Sequence, residues 1–193
     1  MDTKKIIQAL TYLAYKQKSH CINSMKAYKL LWLADRYHLR NYGRTITGDR
    51  YFAMPYGPVP SDAKSIIERK TTKLKTSSKY RNKYIKNIDD YTFKAITKPD
   101  TELFSDSDQD ALDLVLKLYN KYDRRKLSKM SHDYPEWLPF KKQIEAEGEN
   151  SSYEMNMDNF FDNREGEDSE LFDQDAETLA LAKELYKQIR YLS

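Results

Sequence analysis

The segment between Asn23 and Gly43 constrains the fold more than any other part of this 193-residue chain. Its apolar side chains recur at helical spacing but cover a face much broader than one stripe, and they are Met25, Tyr28, Leu30, Leu31, Trp32, Leu33 and Tyr37. Asn23 or Ser24 can cap the start of this helix, and Gly43 supplies a C-terminal stop. A helix with so wide an apolar surface needs cover on several sides, so we predict that it is the central helix of the core.

The rest of the chain predicts a mainly α fold, namely a single helical domain with a small β-hairpin or short strands inserted. Only five glycines and six prolines occur, too few for a sandwich or barrel with many tight turns. Further helices are predicted over residues 2–18, 61–70, 105–122, 124–134, 137–147 and 173–192. Residues 1–142 are expected to form the helical domain, and 143–193, an acidic segment and a C-terminal helix, are expected to pack on it.

The stretches on either side of the helix predicted over residues 61–70 do not show a helical pattern. Residues 51–54 predict a short strand, and residues 55–60 predict a stiff irregular loop because its three prolines fix φ and remove amide donors. Residues 71–81 are polar and basic and are expected to be a mobile loop. Residues 84–96 predict a β-hairpin that turns at Asp89 and Asp90.

Charge is distributed unevenly along the chain. Residues 64–98 hold eleven Lys and Arg against three acidic residues, a balance of +8, whereas residues 144–178 hold thirteen Asp and Glu against Arg164, a balance of −12. The longest apolar run, residues 30–34, is too short to span a membrane, and the N-terminus lacks the pattern of a signal peptide. A single cysteine, Cys21, excludes an internal disulfide and a cysteine-based metal site. We therefore expect a soluble, cytoplasmic protein.

The sequence contains no recognisable catalytic or metal-binding motif. Its histidines, His20, His38 and His132, match no metal-ligand spacing, and no glycine-rich phosphate loop is present, so no cofactor and no metal are expected. Asp35 is the most notable carboxylate because it falls on or beside the apolar face of the central helix, where burial is costly without partners. We interpret it as an anchor for Arg44, Arg50 or loop amides, and its neighbours Lys29 and Arg36 as solvated.

Two blocks of this sequence resemble a known family, the Panacea domain of SocA-like antitoxins and phage-associated GepA-like proteins. The first block runs through Lys29-Leu30-Leu31, Ala34-Asp35 and Leu39, continues with Gly43, Ile46 and Gly48-Asp49, and ends at Gly57-Pro58-Val59. The second is Leu127-Ser128 with Ser131-His132, followed by Trp137. Together they span about three-quarters of the chain.

This resemblance implies a mainly helical, non-enzymatic protein encoded beside a toxin, which it neutralises by direct binding. Many partner toxins of the family inhibit translation, and some relatives act as adaptors that deliver a toxin to a protease. The oligomeric state stays open. The structural motif residues expected from the resemblance are Asp35, Gly43, Gly48, Gly57, Pro58, Val59, His132 and Trp137. A separate DNA-binding module, which many relatives carry, is not recognisable.

Three further hypotheses concern where this chain acts. In the first hypothesis, Phe160, Phe161 and Asp162 of the acidic segment contact a basic groove of the toxin; in the alternative, the segment is only a solvated linker. Tyr56, in the proline-rich loop, is expected to contact the toxin as well. The basic region 64–98, with two interleaved tyrosines, either binds nucleic acid or is a solvated surface, and we favour the latter. An enzyme using Asp35, His38 and His132 would need all three in one cleft.

Overall fold

The computed structural model describes residues 3–69, 75–166 and 170–192. Its helices are α1 (Thr3–Tyr15), α2 (Ser24–Tyr42), α3 (Ser61–Glu68), α4 (Lys75–Tyr84), α5 (Asp106–Tyr119), α6 (Arg124–Ser131), α7 (Lys141–Glu147) and α8 (Ala176–Leu192). Its strands are β1 (Cys21–Asn23), β2 (Tyr51–Met54), β3 (Gly57–Pro60), β4 (Ile85–Asn87), β5 (Thr92–Ala95) and β6 (Tyr153–Glu154). The fold is therefore mainly α with short antiparallel strands. In these ranges no helix is both long and apolar enough to cross a membrane.

Helix α2 is the centre of the core, as its sequence predicts. The Asn23 side chain accepts hydrogen bonds from the amides of Met25 and Lys26, and Gly43 ends the helix in the left-handed conformation at φ 66°. Trp32 and the leucines around it are fully buried, and α1, α5, α6, α8 and β3 pack around the helix. Both predicted ends of this helix are confirmed.

The strands form two small sheets. In the first, the predicted hairpin of β4 and β5 is confirmed, and β1 adds to it as an unpredicted third strand that pairs antiparallel with β5. In the second, β3 pairs with β2 from Met54↔Gly57 to Tyr51↔Pro60, and β6 pairs with the other edge of β2. The prediction of an irregular loop over 55–60 was wrong for its second half, because Pro58 and Pro60 lie on an edge strand, where a missing amide donor is tolerated.

Two more predictions in this region are corrected. Residues 75–81, predicted as part of a mobile loop, belong to helix α4, while 71–74, the rest of that predicted loop, lie outside the described residues. Arg81, expected on a solvated basic surface, is buried and donates to the carbonyls of Ile66 and Ile85.

The N-terminus of α3 is capped by a residue outside the helix, since the Asp49 carboxylate accepts from the amides of Asp62 and Ala63.

The acidic segment is tied to the central helix by a buried arginine. Arg40 Nη1 donates to the carbonyl oxygens of Phe160, Phe161 and Asp162 at 3.2, 2.7 and 3.2 Å, and its Nη2 donates to Asn163 Oδ1 at 2.6 Å. The guanidinium thereby binds three backbone carbonyls and a side-chain amide oxygen of the segment. Helix α8 follows and packs on the end of α2, where a β-carbon on Gly43 would meet its backbone.

A basic cleft as the candidate functional site

A large concave feature lies between α2, α6 and the β2–β3 hairpin. It is a cleft of about 950 Å³, a volume within the usual range of ligand sites. Its lining residues are Asn23, Ser24, Met25, Tyr28, Lys29, Met54, Pro55, Tyr56, Val59, Lys64, Tyr91, Arg124, Arg125, Ser128, Lys129, His132 and Glu149. The cleft thus brings together the N-terminal end of α2, the hairpin turn and one face of α6.

The hairpin turn forms the floor and is held by close packing around Gly57. This residue has φ 94°, a conformation that glycine adopts without strain. A β-carbon there would overlap the Ser131 hydroxyl and approach Lys29 Nζ to 3.2 Å. The floor therefore requires glycine both for its backbone conformation and for the space that α2 and α6 leave to it.

Lys29 lies beneath this floor and is fully buried, which corrects the expectation that it is solvated. Its Nζ donates to the Pro58 carbonyl at 2.6 Å. Burial lowers the pKa of Lys29 to about 7, because an ammonium group loses its hydration there. The amine thus titrates near neutral pH at the base of the cleft.

Helix α6 and the segment that follows it are joined to the hairpin by two side-chain hydrogen bonds. Ser128 Oγ donates to the Tyr56 carbonyl at 2.9 Å, and Trp137 Nε1 donates to the Met54 carbonyl at 3.0 Å. The His132 ring stacks on Trp137 with centroids 4.1 Å apart. Burial lowers the pKa of His132, and the nearby Lys29 ammonium adds to this effect, so the imidazole is neutral at pH 7. Residues of the second sequence block thus hold the turn of the first.

The rim of the cleft is cationic. Arg124, Arg125 and Lys129 are exposed on α6, whereas Lys64 is already paired with Glu68 at 2.7 Å. Among the described lining residues, Glu149 is the only carboxylate. The mouth of the cleft therefore favours an anionic ligand.

Asp35 also lies on α2 but does not line the cleft, and its carboxylate binds the loop over residues 45–51. Its Oδ1 accepts from the amides of Ile46 and Thr47 at 2.8 and 3.1 Å, and its Oδ2 accepts from the hydroxyls of Thr47 and Tyr51. Burial raises the pKa of Asp35 to about 6, and these four donors oppose the shift. In this loop Gly48 adopts φ 68°. The hydrogen-bond donors to Asp35 are thus loop amides and hydroxyls, rather than the expected Arg44 or Arg50.

The other candidate catalytic residues are engaged separately. His38 Nδ1 contacts the Arg44 carbonyl at 2.8 Å and its Nε2 lies 3.2 Å from Asp108. Burial lowers the pKa of His38 to about 4, so it is neutral. Asp35, His38 and His132 thus have different sets of partners, and of the three only His132 lines the cleft.

Two of the partner contacts predicted in the acidic segment, Phe160 and Phe161, need correction, whereas Asp162 is exposed and its contact stays a prediction. Phe160 and Phe161 are buried, with their rings against Tyr51 and Tyr186, and the Asp162 carbonyl accepts from Arg36 at 2.6 Å. These two aromatic residues belong to the core, where hydrogen bonds from Arg40 hold the segment against α2. Of the four residues expected to contact a partner, only Tyr56 lines the cleft.

Sequence reasoning missed most of the cleft lining. Tyr28 and Tyr91 come from segments far apart in the chain, so nothing local marks them as neighbours. One signal was present, however. Arg125, Lys129 and His132 follow one another at spacings of four and three residues and therefore share a helix face.

The comparison with protein families accords with this geometry. The model of the family described as antitoxin SocA-like, Panacea domain, matches residues 28–138. No curated protein and no solved structure matches the chain. The family has a general role in toxin–antitoxin systems, and the matched residues supply most of the cleft. Because the match covers more than half of the sequence, this chain belongs to the family of SocA-like antitoxins with a Panacea domain.

Proposed function

We propose that this protein is an antitoxin that neutralises a cognate protein toxin, encoded nearby, by binding it directly. The toxin we expect is one that inhibits translation, as the resemblance implies. Neutralisation by binding needs a rigid, accessible surface on the antitoxin rather than catalytic groups. The proposed role is therefore compatible with a site whose histidine is neutral and stacked, and it requires no cofactor.

One observation supports this proposal above all. The stretch that matches the antitoxin family also builds the cleft, because all lining residues except Asn23, Ser24, Met25 and Glu149 fall within 28–138. Most of the residues that line this concave surface thus belong to the family-defining part of the chain. A surface of that kind suits recognition of another molecule.

Co-expression with neighbouring genes tests this proposal. Each adjacent gene would be induced alone and then together with this chain, and growth would be followed by affinity purification of any rescuing pair. We expect one neighbour to be toxic alone, harmless in the pair and recovered in a stoichiometric complex. A set of neighbours without any toxic member contradicts the proposal.

The same experiment separates direct neutralisation from delivery to a protease. A blocked toxin accumulates together with the antitoxin, whereas a delivered toxin disappears and returns when the protease is deleted. Immunoblots of the toxin in both backgrounds distinguish these outcomes. We favour direct neutralisation because it needs only the cleft described above.

Nucleic-acid binding through the region 64–98 has less support. Tyr80, one of the two tyrosines considered for base stacking, accepts a hydrogen bond from Gln8, and its ring lies 5.0 Å from that of Tyr84. The two rings thus cover each other rather than offering two open platforms. The buried Arg81 is also unavailable to phosphates.

A further inference from the structure

We propose that the cleft binds an acidic segment of the toxin that also carries apolar side chains. This inference rests on the proposed function and names the partner chemistry of the same site. It is carried by three features: the sign of the charge at the rim, the side chains inside, and the rigidity of the floor.

The charge of the rim selects an acidic partner. Arg124, Arg125 and Lys129 project from one helix over the opening, and none of these three has a carboxylate partner within ion-pair distance among the described residues. Arginine pairs with a carboxylate through two parallel hydrogen bonds. Aspartate or glutamate side chains of the toxin would therefore find free donors at the mouth, and their charge would speed association.

The interior of the cleft favours a protein segment over a nucleic acid. Besides the cations, the cleft is lined by Met25 and Tyr28 of α2 and by Met54 of the hairpin. Tyr56 and Tyr91 stand at the rim with 54 % and 66 % of their surface exposed. Methionine, tyrosine and arginine are enriched at the centres of protein interfaces, and methionine adapts to apolar side chains of varied shape.

The floor is already in its binding conformation. The Lys29 ammonium, the Ser128 hydroxyl and the Trp137 indole each donate to a backbone carbonyl of the hairpin, at 2.6, 2.9 and 3.0 Å. A partner entering the cleft therefore meets a fixed surface, and little conformational entropy is lost on the antitoxin side. The volume of about 950 Å³ fits a few side chains of one segment rather than a whole domain.

Charge reversal at the rim tests the inference. The variant carries Arg124→Glu and Arg125→Glu, two exposed positions in the first turn of α6, where glutamate suits the helix dipole and the fold is preserved. A matched control carries Lys79→Glu and Lys83→Glu, with the same charge change on exposed positions of α4 away from the cleft. We expect the α6 variant to lose rescue and to raise the Kd for the toxin about 100-fold at low salt. The α4 variant should behave as wild type.

Photocrosslinking identifies the occupant independently. In one variant, a benzophenone amino acid replaces Tyr56. In the control variant, it replaces Tyr191 on α8, which is 89 % exposed. We expect a crosslink from position 56 alone, and mass spectrometry should map it to a toxin peptide that contains several Asp or Glu next to apolar residues.

The possible results separate the two proposals. If no neighbour is toxic, the proposed function and this inference both fall. If wild type rescues and the α6 variant rescues and binds equally well, the antitoxin role stands and the cleft inference falls. A crosslink to a basic or uncharged toxin segment, or a complex that nuclease dissociates, overturns the inference as well.

Discussion

Gly57 and Ser131 lie so close together that the hydroxyl of Ser131 occupies the place of a β-carbon on Gly57. The serine hydroxyl is fixed there because it donates to the Ser128 carbonyl at 2.7 Å. One residue belongs to each of the two sequence blocks that carry the family resemblance. Their contact shows how the blocks cooperate: α6 can approach the hairpin only because the turn residue has no side chain.

Replacing Gly57 with alanine should therefore destabilise the protein by about 2–4 kcal/mol, from backbone strain at φ 94° and overlap with Ser131. Denaturant unfolding measures this loss. Gly166→Ala is the matched control, because its φ is 66° but no described atom lies within 4 Å of the new β-carbon. It should cost about 1 kcal/mol. Adding Ser131→Ala to Gly57→Ala should recover part of the loss; strictly additive effects would contradict the overlap.

Removing the Asp35 carboxylate should destabilise the loop over 45–51. Asp35→Ala leaves two amides and the Tyr51 hydroxyl without their buried acceptor, so we expect a loss of about 3–5 kcal/mol. Tyr51→Phe removes one of these bonds and should cost about 1–2 kcal/mol. Thermal and chemical unfolding measure both. Asp106→Ala, an exposed acid in the first turn of α5, is the control and should change stability by under about 1 kcal/mol.

The elements that the sequence predicts well are those whose signals are local. Helix α2 has its cap at Asn23 and its stop at Gly43, both within or beside the segment. Helix α5 has a capping box between Ser105 and Asp108. Strand β1 escaped prediction because three residues carry no periodicity and their partner, β5, lies about seventy residues away.

The burial of two cations was not predicted either, because the groups that bind them are distant in sequence. Lys29 and Arg36 lie on the central helix, and composition alone assigns such charges to solvent. Their partners come from elsewhere in the chain: the Pro58 carbonyl for Lys29, and Glu136 and the Asp162 carbonyl for Arg36. Asp35 was easier because the loop amides, one of the three kinds of partner expected for it, begin only eleven residues further along the chain. The cleft is assembled from segments around residues 25, 55, 91 and 125, and its one local signature was the shared helix face of Arg125, Lys129 and His132.

Shortening the Arg40 side chain should loosen the acidic segment without removing charge. Arg40→Lys keeps the positive charge, but an ammonium cannot reach the Phe161 carbonyl, Asn163 and Gln174 at once as the guanidinium does. We expect a loss of about 2–4 kcal/mol and faster amide exchange over residues 157–166. Arg50→Lys is the control, since its ion pair is exposed and long at 3.8 Å. Unchanged exchange over 157–166 would show that Arg40 does not hold the segment.

The titration of Lys29 should appear as a pH dependence of stability that Lys29→Met removes. Its pKa is lowered from 10.5 to about 7 in the folded protein, so between these values the unfolded chain binds a proton that the folded protein does not. Stability contributed by this group is therefore present above pH 10.5 and is lost as pH falls towards 7.

The measurement is the free energy of unfolding of wild type minus that of Lys29→Met, taken from pH 6 to pH 10. This difference should be flat near pH 6 and then rise, with a slope approaching about 1.4 kcal/mol per pH unit. Loss of the hydrogen bond to the Pro58 carbonyl shifts the whole curve by a constant and leaves the slope unchanged. Titrations of groups that Lys29 does not influence cancel in the difference, and His132, whose pKa Lys29 lowers, titrates below the range in which the slope is measured. A flat difference across the range would mean that the ammonium keeps its ordinary pKa and that water reaches the floor of the cleft.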